Sequence, residues 1–307
     1  MMRGAAAPIL LTIAVSAVSA QELPSVLPID ADEVRAIAVN PALAAFSGEY
    51  LEIGAHESFL GITSSTLGLT AGFAPYAFSA PLRGPSLRTS HFSSHRLDRT
   101  RFGAGYGFAP LPWLALGASV DLIDLGYSNL DLVDLDDPLF ADGRSRTGIG
   151  IGAGAALRGN SGFTAGASIE DLNLPDLSLD RNRSAPSAAR LHTAVAFPLA
   201  GTRVALGARD IEIGSPGARG LSGAAFELGF GGWLNPWAGA RAFGGNRGIG
   251  FEGKVVLPFG MEFRYRAEQP FSDLSSFSYG SHQIALVGLS DRPIRVPRMR
   301  PPPPPPP

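Results

Sequence analysis

His91-Phe92-Ser93 sets an imidazole two residues from a hydroxyl. On a strand that spacing puts a base and a nucleophile on one face, the start of a hydrolytic site. A working triad also needs a third group to orient the base, and none is evident near Ser90 to His95, which reads as loop. A second cluster, Asp121, Asp124, Asp131, Asp134, Asp136, Asp137 and Asp142, could hold calcium, a hard cation that takes about six to eight oxygens. Its spacing is not that of a helix-loop-helix calcium loop, and a solvated acidic loop, or one folded against internal arginines, also accounts for it. His56, His91, His95, His192 and His282 are scattered without metal-ligand spacing. The Gly-x-Gly runs alternate as strands and open no helix, so none is a phosphate cradle. No catalytic, metal or cofactor site is expected.

Charges at alternate positions are more informative. Met261, Phe263 and Tyr265 interleave with Glu262, Arg264 and Arg266. A charge at every second residue is costly against lipid and cheap in a wet lumen. The inward set by this pattern is Arg101, Asp121, Glu170, Arg190, His192, Arg203, Glu227, Glu252, Lys254, Glu262, Arg264 and Arg266. Mixed signs predict internal ion pairs rather than a strongly selective pore. Inward glycines leave room for a plug or a ligand.

The elements that position these charges are strands. In Arg101 to Leu122, Phe102, Ala104, Tyr106 and Phe108 form one face and Arg101, Gly103, Gly105 and Gly107 the other. After Pro110 and Pro112 the alternation resumes, with Leu114 to Leu122 against Ala115, Gly117, Ser119 and Asp121. Such a hairpin could rest on a second sheet or face lipid. Aromatic rings gathered at the turns decide for lipid, because an amphipathic ring suits the bilayer interface. Phe73, Tyr76, Phe108, Trp113, Phe197, Trp233, Trp237 and Phe259 make this girdle. Six short turns, near Pro75, Pro110, Asn160, Leu199, Asn235 and Pro258, alternate with longer polar stretches at 57–61, 84–98, 126–145, 171–187, 214–220, 244–247 and 269–280. That rhythm predicts about fourteen strands, with twelve as the alternative, and places short turns and both termini in the periplasm.

Composition agrees. Of 307 residues 17% are charged, glycine numbers 38, the formal net charge is -2 and cysteine is absent. There is no electrostatic case for nucleic acid and no disulfide or thiolate site. Residues 1–20 read as a secretory signal: Arg3, an apolar run from Ala5 to Val15, and Val18-Ser19-Ala20 before the expected cleavage. No later apolar run approaches the roughly 20 residues of a spanning helix.

Residues 21–47 hold a short helix rather than a strand, opened by Asp30 and Glu33 in a capping-box pattern and stopped at Asn40-Pro41. They form either a periplasmic leader or a plug in the lumen. The barrel is expected over 48–290. Residues 291–307 carry Arg292, Arg295, Arg298 and Arg300 and then Pro301 to Pro307. Such a polyproline tail is either disordered or a rod that docks a periplasmic protein or an anionic polymer.

Ala38-Val39-Asn40-Pro41-Ala42-Leu43, just ahead of the first strand, resembles the segment that precedes the barrel in the outer-membrane superfamily of the FadL long-chain fatty acid transporters and the PorV and PorQ proteins of type IX secretion. Gly166 to Asp176 is similar to a strand end in PorV-like and PorP/SprF-like proteins. The resemblance implies a fourteen-stranded barrel in the bacterial outer membrane with a hatch at Asn40, Pro41 and Ala42. It further implies passive passage of hydrophobic or small solutes, or a partner-binding barrel in secretion. His91 and Ser93 resemble the pair of outer-membrane phospholipases and lipid A deacylases, a remote hydrolase alternative.

Overall fold

The two-residue period of the sequence closes on itself. In the computed structural model, fourteen antiparallel strands among the described residues form one closed barrel in sequential order. They are β1 (Tyr50–Glu57), β2 (Ser64–Gly72), β3 (Pro85–Ser94), β4 (Asp98–Leu111), β5 (Leu114–Gly126), β6 (Ser145–Arg158) and β7 (Thr164–Glu170). The second half comprises β8 (Ala189–Leu199), β9 (Thr202–Ile213), β10 (Ala225–Trp233), β11 (Ala238–Gly245), β12 (Gly248–Val256), β13 (Met261–Pro270) and β14 (Ser281–Leu289). The structure describes residues 29, 34–46, 50–57, 64–72, 84–94, 98–126, 143–178, 187–200, 202–215, 218–235, 237–257, 261–271 and 280–289. Closure comes from β1 pairing with β14, from Tyr50↔Leu289 to Glu57↔His282.

Most strands whose side chains are described present a greasy side outward. Val120 is 54% exposed while its neighbour Asp121 is 1% exposed, an inversion of a soluble core. Outward residues also match across strands, as in Val120↔Ile151 and Leu122↔Ile149. Phe102, Phe226, Phe230, Phe251 and Ile284 continue the band around the barrel. An apolar outer face on a sheet without edges is a lipid-facing surface. The protein is a transmembrane barrel of the outer-membrane type. Among the described residues no helix is long and apolar enough to cross a membrane.

Three sequence expectations need correction. Residues 84–98, read as a loop, contain β3, and only 95–97 separate it from β4. The polarity that suggested a loop belongs to a strand with buried Ser86 and Phe92 on one side and exposed Leu87 and His91 on the other. Asp121 and Asp124 lie within β5 rather than in an acidic loop. The alternation of short and long connections is incomplete, since β11 and β12 join through Asn246 and Arg247 alone, whereas 73–84 separate β2 from β3.

The N-terminal segment enters the barrel. Helix α1 (Val34–Val39) ends at Asn40, whose extended backbone (φ -121°, ψ 98°) is what a following proline demands. A 3-10 turn over Pro41–Ala45 follows, fully buried. Ile29 is buried separately against Ala194, Ala196 and Ala205 of β8 and β9. Asp30, Glu33, residues 1–28, the acidic stretch 127–142 and the 290–307 tail lie outside the described residues.

Lipid contact is expected to be depth-dependent. Val120→Arg, at mid-strand, should cost about 2–4 kcal/mol of folding into vesicles, and Leu111→Arg, beside the turn, about 0–1 kcal/mol. Urea titration in lipid vesicles measures both.

Candidate functional site

The inner wall is organised in cross-strand rows, and the first row seats the N-terminal segment. Gly107 pairs with Gly117 and Gly117 with Gly154, so three glycines stand side by side on β4, β5 and β6. A Cβ on Gly107 would come within 2.5 Å of the Pro41 carbonyl oxygen. One on Gly117 would strike the Ala42 amide, and one on Gly154 the Asn40 side chain. Absent side chains therefore form the seat of the hatch. Asn40 fastens it: Nδ2 donates to the Ala155 carbonyl (3.1 Å) and Oδ1 accepts from the Ala42 amide (3.1 Å). Pro41 and Ala42, like Asn40, are buried.

Farther from the β4–β5 turn, another row runs Arg88, Gly103, Asp121, Gly150. Glycines again make the floor, here for ion pairs. A Cβ on Gly103 would meet the Asp121 carboxylate and, at 2.7 Å, Arg88 Nε. Arg88 binds Asp121 through Nε (2.7 Å) and Nη2 and reaches Glu170 at 3.5 Å. Arg101 joins Asp121 (3.2 Å) and Asp171 (3.0 Å), and Arg190 joins Glu170 (3.3 Å) and Asp171 (3.1 Å). Three arginines thus face three carboxylates, without surplus charge to draw one ion sign through. His192 Nδ1 accepts the Asp210 amide (3.3 Å) where the β8–β9 register shifts, and its Nε2 lies 3.8 Å from Glu170.

The opposite wall repeats the chemistry. Arg241 pairs with Glu227 (2.8 Å), Arg209 with Glu227 (3.5 Å), and Arg264 with Glu262 (2.5 Å) and Glu52 (3.8 Å). Arg266 contacts Glu227 (3.7 Å) and stacks its guanidinium over Phe243 at 3.9 Å.

Between β6 and β8 the wall is interrupted. β7 pairs with β6 only over Ala153–Arg158, and beyond Ala153 the strand continues to Ser145 with residues 171–178 beside it instead. Backbone left unpaired in hydrocarbon costs several kcal/mol per group, about what full desolvation of an amide costs. An asparagine side chain supplies the missing partner. Leu172 N donates to the Ile151 carbonyl (2.8 Å), Ile151 N donates to Asn173 Oδ1 (2.8 Å), and Asn173 Nδ2 donates to the Ile149 carbonyl (2.6 Å). This strap threads the gap: Leu172 is exposed outside, whereas Asp171 and Pro175 are buried. Leu177 Cδ2 lies 2.7 Å from where a Gly148 Cβ would sit on the inner face. Asp171 (φ 54°) and Leu174 (φ 50°) hold left-handed backbone that L side chains rarely adopt.

No family model and no curated protein matches the chain. Solved structures do. The Pseudomonas putida toluene transporter TodX aligns at TM-score 0.51 and 14% identity, covering 86% of this chain and 97% of that one. The Ralstonia pickettii toluene transporter TbuX gives 0.51 and 11%, covering 83% and 92%. The CymD monoaromatic hydrocarbon channel gives 0.51 and 11%, covering 85% and 92%. The fold is that of the hydrocarbon channels.

Within the hydrocarbon-channel fold, the inward residues named from sequence divide between the two walls. Arg101, Asp121, Glu170, Arg190 and His192 converge in one network, while on the other wall Arg266 meets Glu227 and Arg264 meets Glu262. Glu252 is buried opposite Arg241, and Arg203 donates to Thr164 Oγ1 at 2.5 Å. Lys254 stands apart at the turn end, its ammonium 4.6 Å over the Trp233 ring. Trp233 shares the inward parity of Glu227, so it sits at the lumen mouth. Phe108 and Phe197 hold outward positions near turns, and Trp113 and Trp237 are exposed at turns. Phe73, Tyr76 and Phe259 lie outside the described residues.

His91 and Ser93 share the outward face of β3 but are paired elsewhere. His91 Nδ1 meets Thr100 Oγ1 at 3.0 Å, and Ser93 Oγ donates to the Asp98 carboxylate at 2.7 Å. A hydroxyl occupied by a carboxylate is not aligned with the imidazole that would have to activate it. Among the described residues no His, Asp and Glu gather as a metal site. Sequence reasoning missed Arg88, Asp171 and Asn173, all placed in loops. The alternation Ser86, Arg88, Ser90, Phe92 carried the signal for the first; no periodicity marks the other two.

Filling the seat should eject the hatch. In this cysteine-free chain, Ala42→Cys is expected to resist a water-soluble maleimide, and Gly117→Leu to expose it, measured as labelling rate.

Proposed function

We propose that this protein is a passive, non-enzymatic outer-membrane channel for small hydrophobic solutes. The observation that carries the reading is the strapped gap between β6 and β8. An apolar solute gains nothing by crossing a lumen lined with ion pairs, but an interruption in the wall offers it a route into lipid without passing through water. Solute enters from the long-loop side, outside the cell, while the hatch on its glycine seat closes the other end. Both termini then lie in the periplasm, after removal of a signal over 1–20. Monoaromatic hydrocarbons, the cargo named for channels of the same fold, are the first solutes to test. A second reading, a partner-binding barrel in protein secretion of the PorV, PorQ or PorP type, is favoured by the arginine- and proline-rich residues 291–307, suited to docking a periplasmic protein or an anionic polymer.

Vesicles containing the full chain are expected to accumulate labelled toluene faster than protein-free vesicles while showing little ion conductance in planar bilayers. Deleting residues 31–46 is expected to open an ion leak. If neither uptake nor conductance appears in any of these preparations, the channel reading fails.

A further inference from the structure

The strap over residues 171–178 is held by something other than a regular ladder. A strand is held by its ladder. This segment has two backbone positions in left-handed conformation, at Asp171 and Leu174. Its described contacts include three hydrogen bonds to β6, two of them through a single asparagine side chain, a bond from Ser187 N to the Pro175 carbonyl (3.0 Å), and a β-bridge at Asp176. To these are added ion pairs, and they come from inside the lumen. The Asp171 carboxylate, buried, takes Arg101 from β4 on one oxygen (3.0 Å) and Arg190 from β8 on the other (3.1 Å). Arg101 belongs to a strand separated from the strap by β5 and β6, so this contact reaches over the inner floor of two intervening strands. Gly150 makes room for it, since a Cβ there would come within 2.5 Å of Asp171 Oδ1.

We propose that the strap is a lid in the barrel wall and that Asp171 is its latch, gripped from within the lumen by Arg101 and Arg190. Because the gripping groups face the bore, a solute or a charge change inside the lumen acts on the lid, whereas the exposed residues of the strap are Leu172 and Asn173. Ion pairs buried in this manner cost much to leave half-made. Loss of the carboxylate therefore releases the lid instead of tightening it. The inference rests on the channel reading for its physiological meaning, but the latch itself is measurable without transport.

The chain has no cysteine, which makes single-site chemistry clean. Leu177 packs on the inner face of β6 at Gly148. In the full-length protein in vesicles, Leu177→Cys is expected to react slowly with a water-soluble maleimide. Adding Asp171→Asn should speed the reaction by about tenfold or more, and Asp171→Glu, which keeps the charge, should stay close to the parent rate. Equal rates for Asp171→Asn and the parent would overturn the latch. The lid is tested by the pair Gly148→Cys and Leu177→Cys, whose disulfide pins strap to strand: oxidised protein should lose most toluene uptake and reductant should restore it. Oxidised protein that takes up solute as fast as reduced protein would show a fixed wall. Should the reduced protein take up no solute, the channel reading falls, and the labelling rates still decide the latch.

Discussion

A hydrocarbon layer tolerates no unpaired backbone amide, and most of this structure is a response to that. Closure of β1 on β14 removes the sheet's edges. The same demand explains Asn173, whose amide replaces two ladder partners where β7 stops short and β6 runs on. A wall can be interrupted in lipid only if something satisfies the exposed strand. Here that something is one side chain and a short strap.

Inside, glycine does two different jobs. At Gly107, Gly117 and Gly154 it vacates the volume that Pro41, Ala42 and Asn40 occupy. At Gly103 and Gly150 it lets arginine and carboxylate side chains lie close over the strand floor, in an arc from β3 to the strap. Substituting either set would be felt by a different partner, hatch or ion pair. The pairing of opposite charges within each wall leaves little net field to favour one ion sign over the other.

Much of this was legible in the sequence. The period of two in Arg101–Leu122 assigned outward and inward faces that the structure reproduces, because a strand has only two sides and lipid accepts only one chemistry. Asn40-Pro41 announced the end of a helix by sterics alone. Residues 84–94 misled because a lumen-facing strand is polar in the way a loop is polar; only the alternation distinguishes them. Asp171 and Asn173 were beyond reach for another reason. Their roles depend on Arg101, Arg190 and the edge of β6, which tertiary closure brings together and no local pattern encodes.

A barrel of this kind requires lipid at its outward residues. Single cysteines at successive positions of β10, from Ala225 to Phe230, spin-labelled in bilayers, test this directly. Labels at Phe226, Leu228 and Phe230 are predicted to be reached by oxygen dissolved in the membrane and shielded from a water-soluble relaxant, and labels at Ala225, Glu227 and Gly229 to lack that signature. Relaxation by the aqueous reagent at all six positions alike would contradict a lipid-embedded barrel.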